Sequence, residues 1–131
     1  MGLIAPERAA RRARRALSAT GKKTVYRLGQ GGMDPRLPHP GAECDCSGFA
    51  SWVWDLSRHQ GDKGKPWSPH IVWLATETIW ADAKGKQRLF VPIASAEPGC
   101  AIVYPDRRKS QGHIGIVTRA DLTGVDCATD S

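Results

Sequence analysis

The most chemically suggestive grouping in the chain is the pentapeptide Asp45-Cys46-Ser47-Gly48-Phe49. A cysteine attacks a carbonyl as its thiolate. The free thiol pKa of about 8.5 falls by several units at a helix start or beside a histidinium. Asp45 is a good N-cap for a helix that begins at Cys46, and the small Ser47 and Gly48 leave the sulfur reachable. The unsatisfied N–H groups of a first helical turn also point at any oxyanion forming on the substrate, so one helix start can serve both tasks. The base must come from elsewhere. His113, between Gly112 and the apolar Ile114-Gly115-Ile116-Val117, is the best candidate. His39 lies among prolines, His59 at a helix end and His70 at a helix start, all of them surface positions. For any such pair the plain alternative is a buried cysteine and an unrelated structural histidine.

The elements that must position the pair follow from periodicity and breakers. Pro6 to Thr20 reads as a helix, with Pro6 in its first turn, Glu7 at its positive end and Gly21 as cap. Ala10, Ala13 and Leu17 form its apolar stripe, and Arg8, Arg11, Arg12, Arg14 and Arg15 cover the rest. The favoured reading is a solvated helix on the domain edge; the other is a polyanion-binding arm. Thr24 to Leu28 is a short strand. Cys46 to Arg58 is a helix with Phe49, Val53 and Leu56 on its core face and Trp52 beside them. A second helix starts at Ser68-Pro69, continues from Ile71 to Ala83 and ends near Gly85. Short strands follow over Arg88–Ile93, Cys100–Tyr104, His113–Thr118 and Val125–Thr129. Helices first and strands after predict an α+β fold with an antiparallel sheet. The division expected is a basic helix over 1–21 and a domain over 22–131. Trp52, Trp54, Trp67, Trp73 and Trp80 all lie in one central stretch, so they should share a core or line a groove.

The net charge of +6 suggests anionic partners: nucleic acid, an acidic membrane or an anionic wall polymer. No run of about 18 apolar residues exists, so membrane insertion is not expected. The basic N-terminus lacks the apolar stretch of a signal peptide, which predicts cytoplasmic synthesis. The four cysteines are then expected to be reduced. Cys44 and Cys46 are too close for common zinc spacings. A zinc site from Cys44, Cys46, Cys127 and a histidine is the minor alternative to having no metal.

Three segments extend the pattern in order: Asp45-Cys46-Ser47-Gly48-Phe49 with its helix, Pro98-Gly99-Cys100-Ala101-Ile102-Val103-Tyr104, and Gly112-His113-Ile114-Gly115-Ile116-Val117. Together they resemble the NlpC-like family of cell-wall cysteine peptidases, over roughly Thr24 to the C-terminus. The resemblance implies a papain-like α+β core with N-terminal helices packed on a small antiparallel sheet. It implies cofactor-free hydrolysis of amide bonds in peptidoglycan stem peptides, often next to D-glutamate or diaminopimelate. Cys46 takes the nucleophile position and His113 that of the base. Asp45 and Ser47 match flanking positions that in some members contact the substrate's free amine. Tyr26 resembles the family's tyrosine near the nucleophile; a core-packed strand tyrosine is its equal alternative.

The third residue, which orients the imidazole, is often a histidine on the next strand, and no histidine follows His113. If Val125–Thr129 pairs antiparallel with His113–Thr118 so that Thr118 opposes Val125, Asp126 faces Val117 and shares His113's face. That makes Asp126 the expected third residue, since a carboxylate can hold the tautomer. Asp130 would share the face, opposite His113 itself. Cys100 stands where the family has aspartate. The chain stops at Ser131, where the family adds closing strands, so the expectation is a domain truncated at its C-terminus. The implied setting is the cell wall, reached after phage lysis or delivery, or from a virion. Two other classes compete: a binding or phage structural protein that has lost activity, and a nucleic-acid binder using the arginine-rich helix. The latter lacks any groove-reading motif.

Overall fold

Among the residues it describes, a computed structural model of the chain has three helices and two small sheets in an α+β arrangement. It describes residues 6–19, 25–28, 43–56, 73–86, 89–108, 110–121 and 123–128. The expectations for His39, His59, His70, Trp67, the Ser68-Pro69 helix start and Asp130 lie outside the described residues. In chain order the elements are α1 (Pro6–Ser18), β1 (Val25–Tyr26), β2 (Glu43–Cys44), α2 (Cys46–Trp54), α3 (Thr76–Lys84), β3 (Ala101–Tyr104), β4 (His113–Asp121) and β5 (Gly124–Ala128). β1 and β2 pair in parallel; β3, β4 and β5 form an antiparallel meander with β4 in the middle.

α2 is the core. Every residue from Cys46 to Trp54 is buried, which suits a helix so short of charge. It stops at Trp54, before the expected Arg58, because Asp55 turns into the left-handed region at φ 57°. Leu56 N–H then donates to Ser51 O at 3.0 Å and Asp55 N–H to Trp52 O at 3.2 Å, the two bonds of a Schellman cap. Leu56, expected on the helix face, instead packs against the core from just beyond this cap. The buried cluster joins Cys44, Cys46, Phe49, Trp52, Val53 and Trp54 to Leu74, Ile79, Ile114 and Ile116. Trp52 and Trp54 share this core, whereas Trp73 and Trp80 are only partly buried.

α1 lies against α2 and β4 through a stripe that keeps Ala13 of the predicted set but replaces Leu17 with Ala16. Ala13 and Ala16 are buried, while Leu17 is 53% exposed. The reason is close approach: a Cβ on Gly99 would stand 2.8 Å from Ala9 O and 3.2 Å from Arg12 Cβ. Small side chains fit that seam and leucine does not. Arg15 reaches inward, its Nε donating to Trp52 O at 2.8 Å and its guanidinium lying 4.0 Å from the Trp52 ring centroid. Arg8, Arg11 and Arg14 stay exposed.

α3 begins at Thr76; residues 73–75, which the expected Ile71–Ala83 span includes, are not helical. Thr78 fixes that start, its hydroxyl accepting the Ala75 N–H at 2.9 Å and donating toward Trp73 O at 2.6 Å. The strand expected over Arg88–Ile93 is absent among the described residues. The Leu89 and Phe90 N–H groups donate instead to Asp82 Oδ2, at 2.9 and 2.8 Å. Entry into β3 is a turn in which Cys100 N–H meets Glu97 O at 3.1 Å, with Pro98 second and Gly99 at φ 85° third. Gly99 N–H donates to Val117 O and Val117 N–H to Cys100 O, both at 2.8 Å, so Gly99 and Cys100 together oppose Val117 as a bulge.

Candidate active site

Cys46 is the first residue of α2 and is 4% exposed. Asp45 caps the helix as expected, accepting the Gly48 N–H at 2.7 Å and the Ser47 hydroxyl at 3.3 Å. Asp45 and Ser47, the expected substrate contacts, are both buried. Beside the sulfur stands Thr76, the first residue of α3, with its Oγ1 3.8 Å from Sγ. Side chains from two helix starts therefore meet at the thiol.

Two hydrogen-bonded connections run from this point to the start of β4. In the first, the parallel pairing of β1 with β2 sets Tyr26 beside Cys44, and Arg27 N–H donates to Cys44 O at 3.0 Å. The Tyr26 hydroxyl accepts from Gln111 Nε2 at 3.4 Å. In the second, Glu77, next to Thr76, accepts the Asp106 N–H through its carboxylate. The Asp106 carboxylate in turn accepts the Gly112 N–H. Both connections end within two residues of His113.

His113 opens β4 opposite Tyr104, their rings 6.2 Å apart between centroids. It is half-buried, and its neighbour Ile114 belongs to the same buried cluster as Cys46. Gly112 has room for no side chain: a Cβ there would lie 2.6 Å from Tyr104 O and 2.7 Å from Asp106 N. The backbone thus closes tightly just ahead of the histidine.

The expected third residue is corrected by the register. Ile116 opposes Ala128 and Val117 opposes Cys127, but a bulge at Thr118 makes Arg119 oppose Asp126. The hairpin turn is also tighter than expected, with Asp121 opposite Gly124. Because Cys127 shares the face of Val117 and His113, its neighbour Asp126 belongs to the other face. Its carboxylate accepts from Arg119 Nε at 2.7 Å, and that bond holds the Asp126 pKa below the usual carboxylate range. Asp121 accepts from Arg119 and from Thr123, which hold its pKa down at about 2. These groups clamp the hairpin end rather than orienting an imidazole.

Thr76, Glu77, Asp106 and Gln111 take part here without having been singled out in the sequence. The visible signals were a Thr-Glu pair suited to a helix start and a glutamine next to Gly112-His113. Neither says that the loop after β3 folds back onto α3. Among the described residues, no group of three or more His, Cys, Asp and Glu side chains is placed to hold a metal ion. No helix among them is long and apolar enough to cross a membrane. Comparison with protein-family models, curated proteins and solved structures finds no match for the chain.

Proposed function

We propose that the chain is a cysteine hydrolase of the NlpC type, with a papain-like core, acting on amide bonds of peptidoglycan stem peptides. One observation carries the reading: Cys46 opens an Asp45-capped helix, and hydrogen bonds through the strand pair before it and from α3 beside it lead to the turn before His113. In the reaction, the Cys46 thiolate adds to the amide carbonyl carbon, and the oxyanion is held at the positive end of α2, where the Cys46 N–H donates. The tetrahedral intermediate collapses as the C–N bond breaks and His113 gives a proton to the leaving amine. Water, deprotonated by His113, then attacks the thioester and releases the carboxylate and the Cys46 sulfur. The exposed Arg8, Arg11 and Arg14 on α1 and Arg107 and Arg108 after β3 supply attraction to an anionic wall polymer.

The test is digestion of purified sacculi of differing stem-peptide chemistry, with released fragments identified by mass spectrometry. A new free amine with the wild-type chain, lost in Cys46→Ala and His113→Ala, is the expected result. No release from any wall type, by a folded protein, would refute it. A second reading, a non-catalytic protein that keeps the fold, is favoured by the burial of Cys46. Slow alkylation of Cys46 under mildly acidic conditions, where a thiolate would react fast, is its signature.

A further inference from the structure

The Cys46 sulfur has a polar contact that helix capping does not require, the hydroxyl of Thr76 at 3.8 Å. We infer that Thr76 is the hydrogen-bond donor that holds the Cys46 thiolate, a reactive-site residue additional to Cys46 and His113. The inference rests on the reading of Cys46 as nucleophile. With a neutral thiol either atom can donate. Once the proton leaves, sulfur offers only lone pairs, so the hydroxyl must be the donor.

Three features of the site favour this role. The hydroxyl is not used to start α3, because Thr78 takes the Ala75 N–H and Ala75 is the N-cap residue. Both partners are buried, with Thr76 8% exposed, and a hydrogen bond to a charge there is worth more than one in water. Thr76 also brings the first turn of α3 toward the sulfur, adding a second positive helix end to that of α2.

The ionisable groups that flank the Cys46–Thr76 pair along the chain are Cys44, Asp45 and Glu77; Tyr26 on β1, His113 on β4 and Arg15 on α1 lie on neighbouring elements. The two carboxylates would disfavour a thiolate, but Asp45 is engaged by the Gly48 N–H and the Ser47 hydroxyl, and Glu77 by the Asp106 N–H. A neutral hydroxyl at the sulfur stabilises the anion without adding a charge.

The experiment is the pH profile of iodoacetamide alkylation on the full chain, read by tandem mass spectrometry that localises the label to Cys46, so that Cys44, Cys100 and Cys127 do not interfere. Wild type is compared with Thr76→Val, Thr76→Ala and Thr76→Ser, each checked for its thermal midpoint. Wild-type Cys46 should be alkylated readily in mildly acidic buffer, where a free thiol reacts slowly. Thr76→Val should slow that reaction about tenfold, and Thr76→Ser should restore it. Thr76→Ala gives the same answer if valine disturbs folding. A valine or alanine profile superimposed on wild type overturns the inference and leaves Cys46 as nucleophile. Equal slowing in valine and serine variants overturns it too, since packing would then be the cause. Wild-type alkylation as slow as that of a free thiol removes the nucleophile reading, and Thr76 with it. Ready wild-type alkylation slowed by Thr76→Val, in a protein that digests no wall, supports the inference and sinks only the substrate.

Discussion

Gly112→Ala tests whether the backbone just ahead of His113 is as constrained as its contacts imply. An added methyl would stand 2.6 Å from Tyr104 O, 2.7 Å from Asp106 N and 2.7 Å from Pro105 C, all of them backbone atoms. No rotamer change relieves such contacts, so the segment from Pro105 to Gly112 must open. Opening removes the Gly112 N–H bond to the Asp106 carboxylate, worth about 1.5–3 kcal/mol for a charged acceptor. Residual overpacking adds about 1–3 kcal/mol. Lower entropy of the unfolded chain offsets about 0.4–1 kcal/mol. The net loss is about 3 kcal/mol, which lowers the thermal midpoint of a domain this size by about 10 °C. Circular dichroism melts measure it directly. Gly124→Ala is the comparison: it has φ 145° but nothing within 4 Å, so strain alone acts and the loss should be smaller. Gly112 is not among the positive-φ glycines, so its cost is one of space. A Gly112→Ala midpoint within about 2 °C of wild type would refute the reasoning. Below the midpoint, hydrolysis should fall further than stability does, because the same displacement moves His113.

Asp126→Asn should leave hydrolysis unchanged, since its carboxylate serves Arg119 on the face away from His113; a large loss of turnover would restore it as a site residue. The hairpin clamp also has a pH signature. Asp121 at about 2 and the lowered Asp126 both lie below their unfolded values, so their contribution is complete above about pH 4. It is lost as pH falls through the folded values, toward about 2 for Asp121. The acid-side fall in thermal midpoint should therefore be shallower in Arg119→Gln than in wild type, and parallel profiles would contradict the assignment. Tyr26→Phe removes the hydroxyl that accepts from Gln111. Turnover should drop about 2–10-fold, the equivalent of one modest hydrogen bond, with the midpoint nearly unchanged. Unaltered turnover would show that this connection does not hold the site.

What could be read from the sequence divides along physical lines. The cap at Asp45, the start of α2 at Cys46 and the Pro98-Gly99 turn are local events, decided by one residue's side chain or backbone freedom. Each stands where the residues say. β3, β4 and β5 also fall close to their predicted spans, because Val, Ile and Gly pattern them. The pairing between β4 and β5 was not readable. A bulge at Thr118 is a property of two strands together, and one residue of slip turned Asp126 to the wrong face. The start of α3 is not legible in the sequence, because Thr78 fixes it only once Ala75 is beside it. For a similar reason α1 keeps Ala13 of its expected stripe but turns Leu17 outward. Hydrophobicity favoured Leu17, but the approach of Ala9 to Gly99 rewards absence of bulk.

That approach also explains how an arginine-rich helix helps to fix the helix that carries the thiol. Gly99 gathers contacts from several elements: Ala9 and Arg12 of α1 close against it, Trp54 Nε1 donates to its carbonyl at 2.9 Å, and its N–H reaches Val117 on β4. Arg15 adds its bond to Trp52 O, near the C-terminal end of α2. Burial lowers the Arg15 pKa, and the charge of Asp55, just past that helix end, offsets this only in part. α2 is thus held at its last turn by α1, Gly99 and the cap at Asp55. At its first turn it is held by Asp45 and by the contact with Thr76. A nine-residue helix buried throughout and fixed at both ends has little freedom to shift. The Cys46 side of the site is therefore the stationary one. Its spacing from His113 is set by the opposite side, where hydrogen bonds from Tyr26 and Asp106 hold the loop ahead of β4. For that reason substitutions at Gly112 and Tyr26 should alter the proposed chemistry more readily than equally conservative changes within α2.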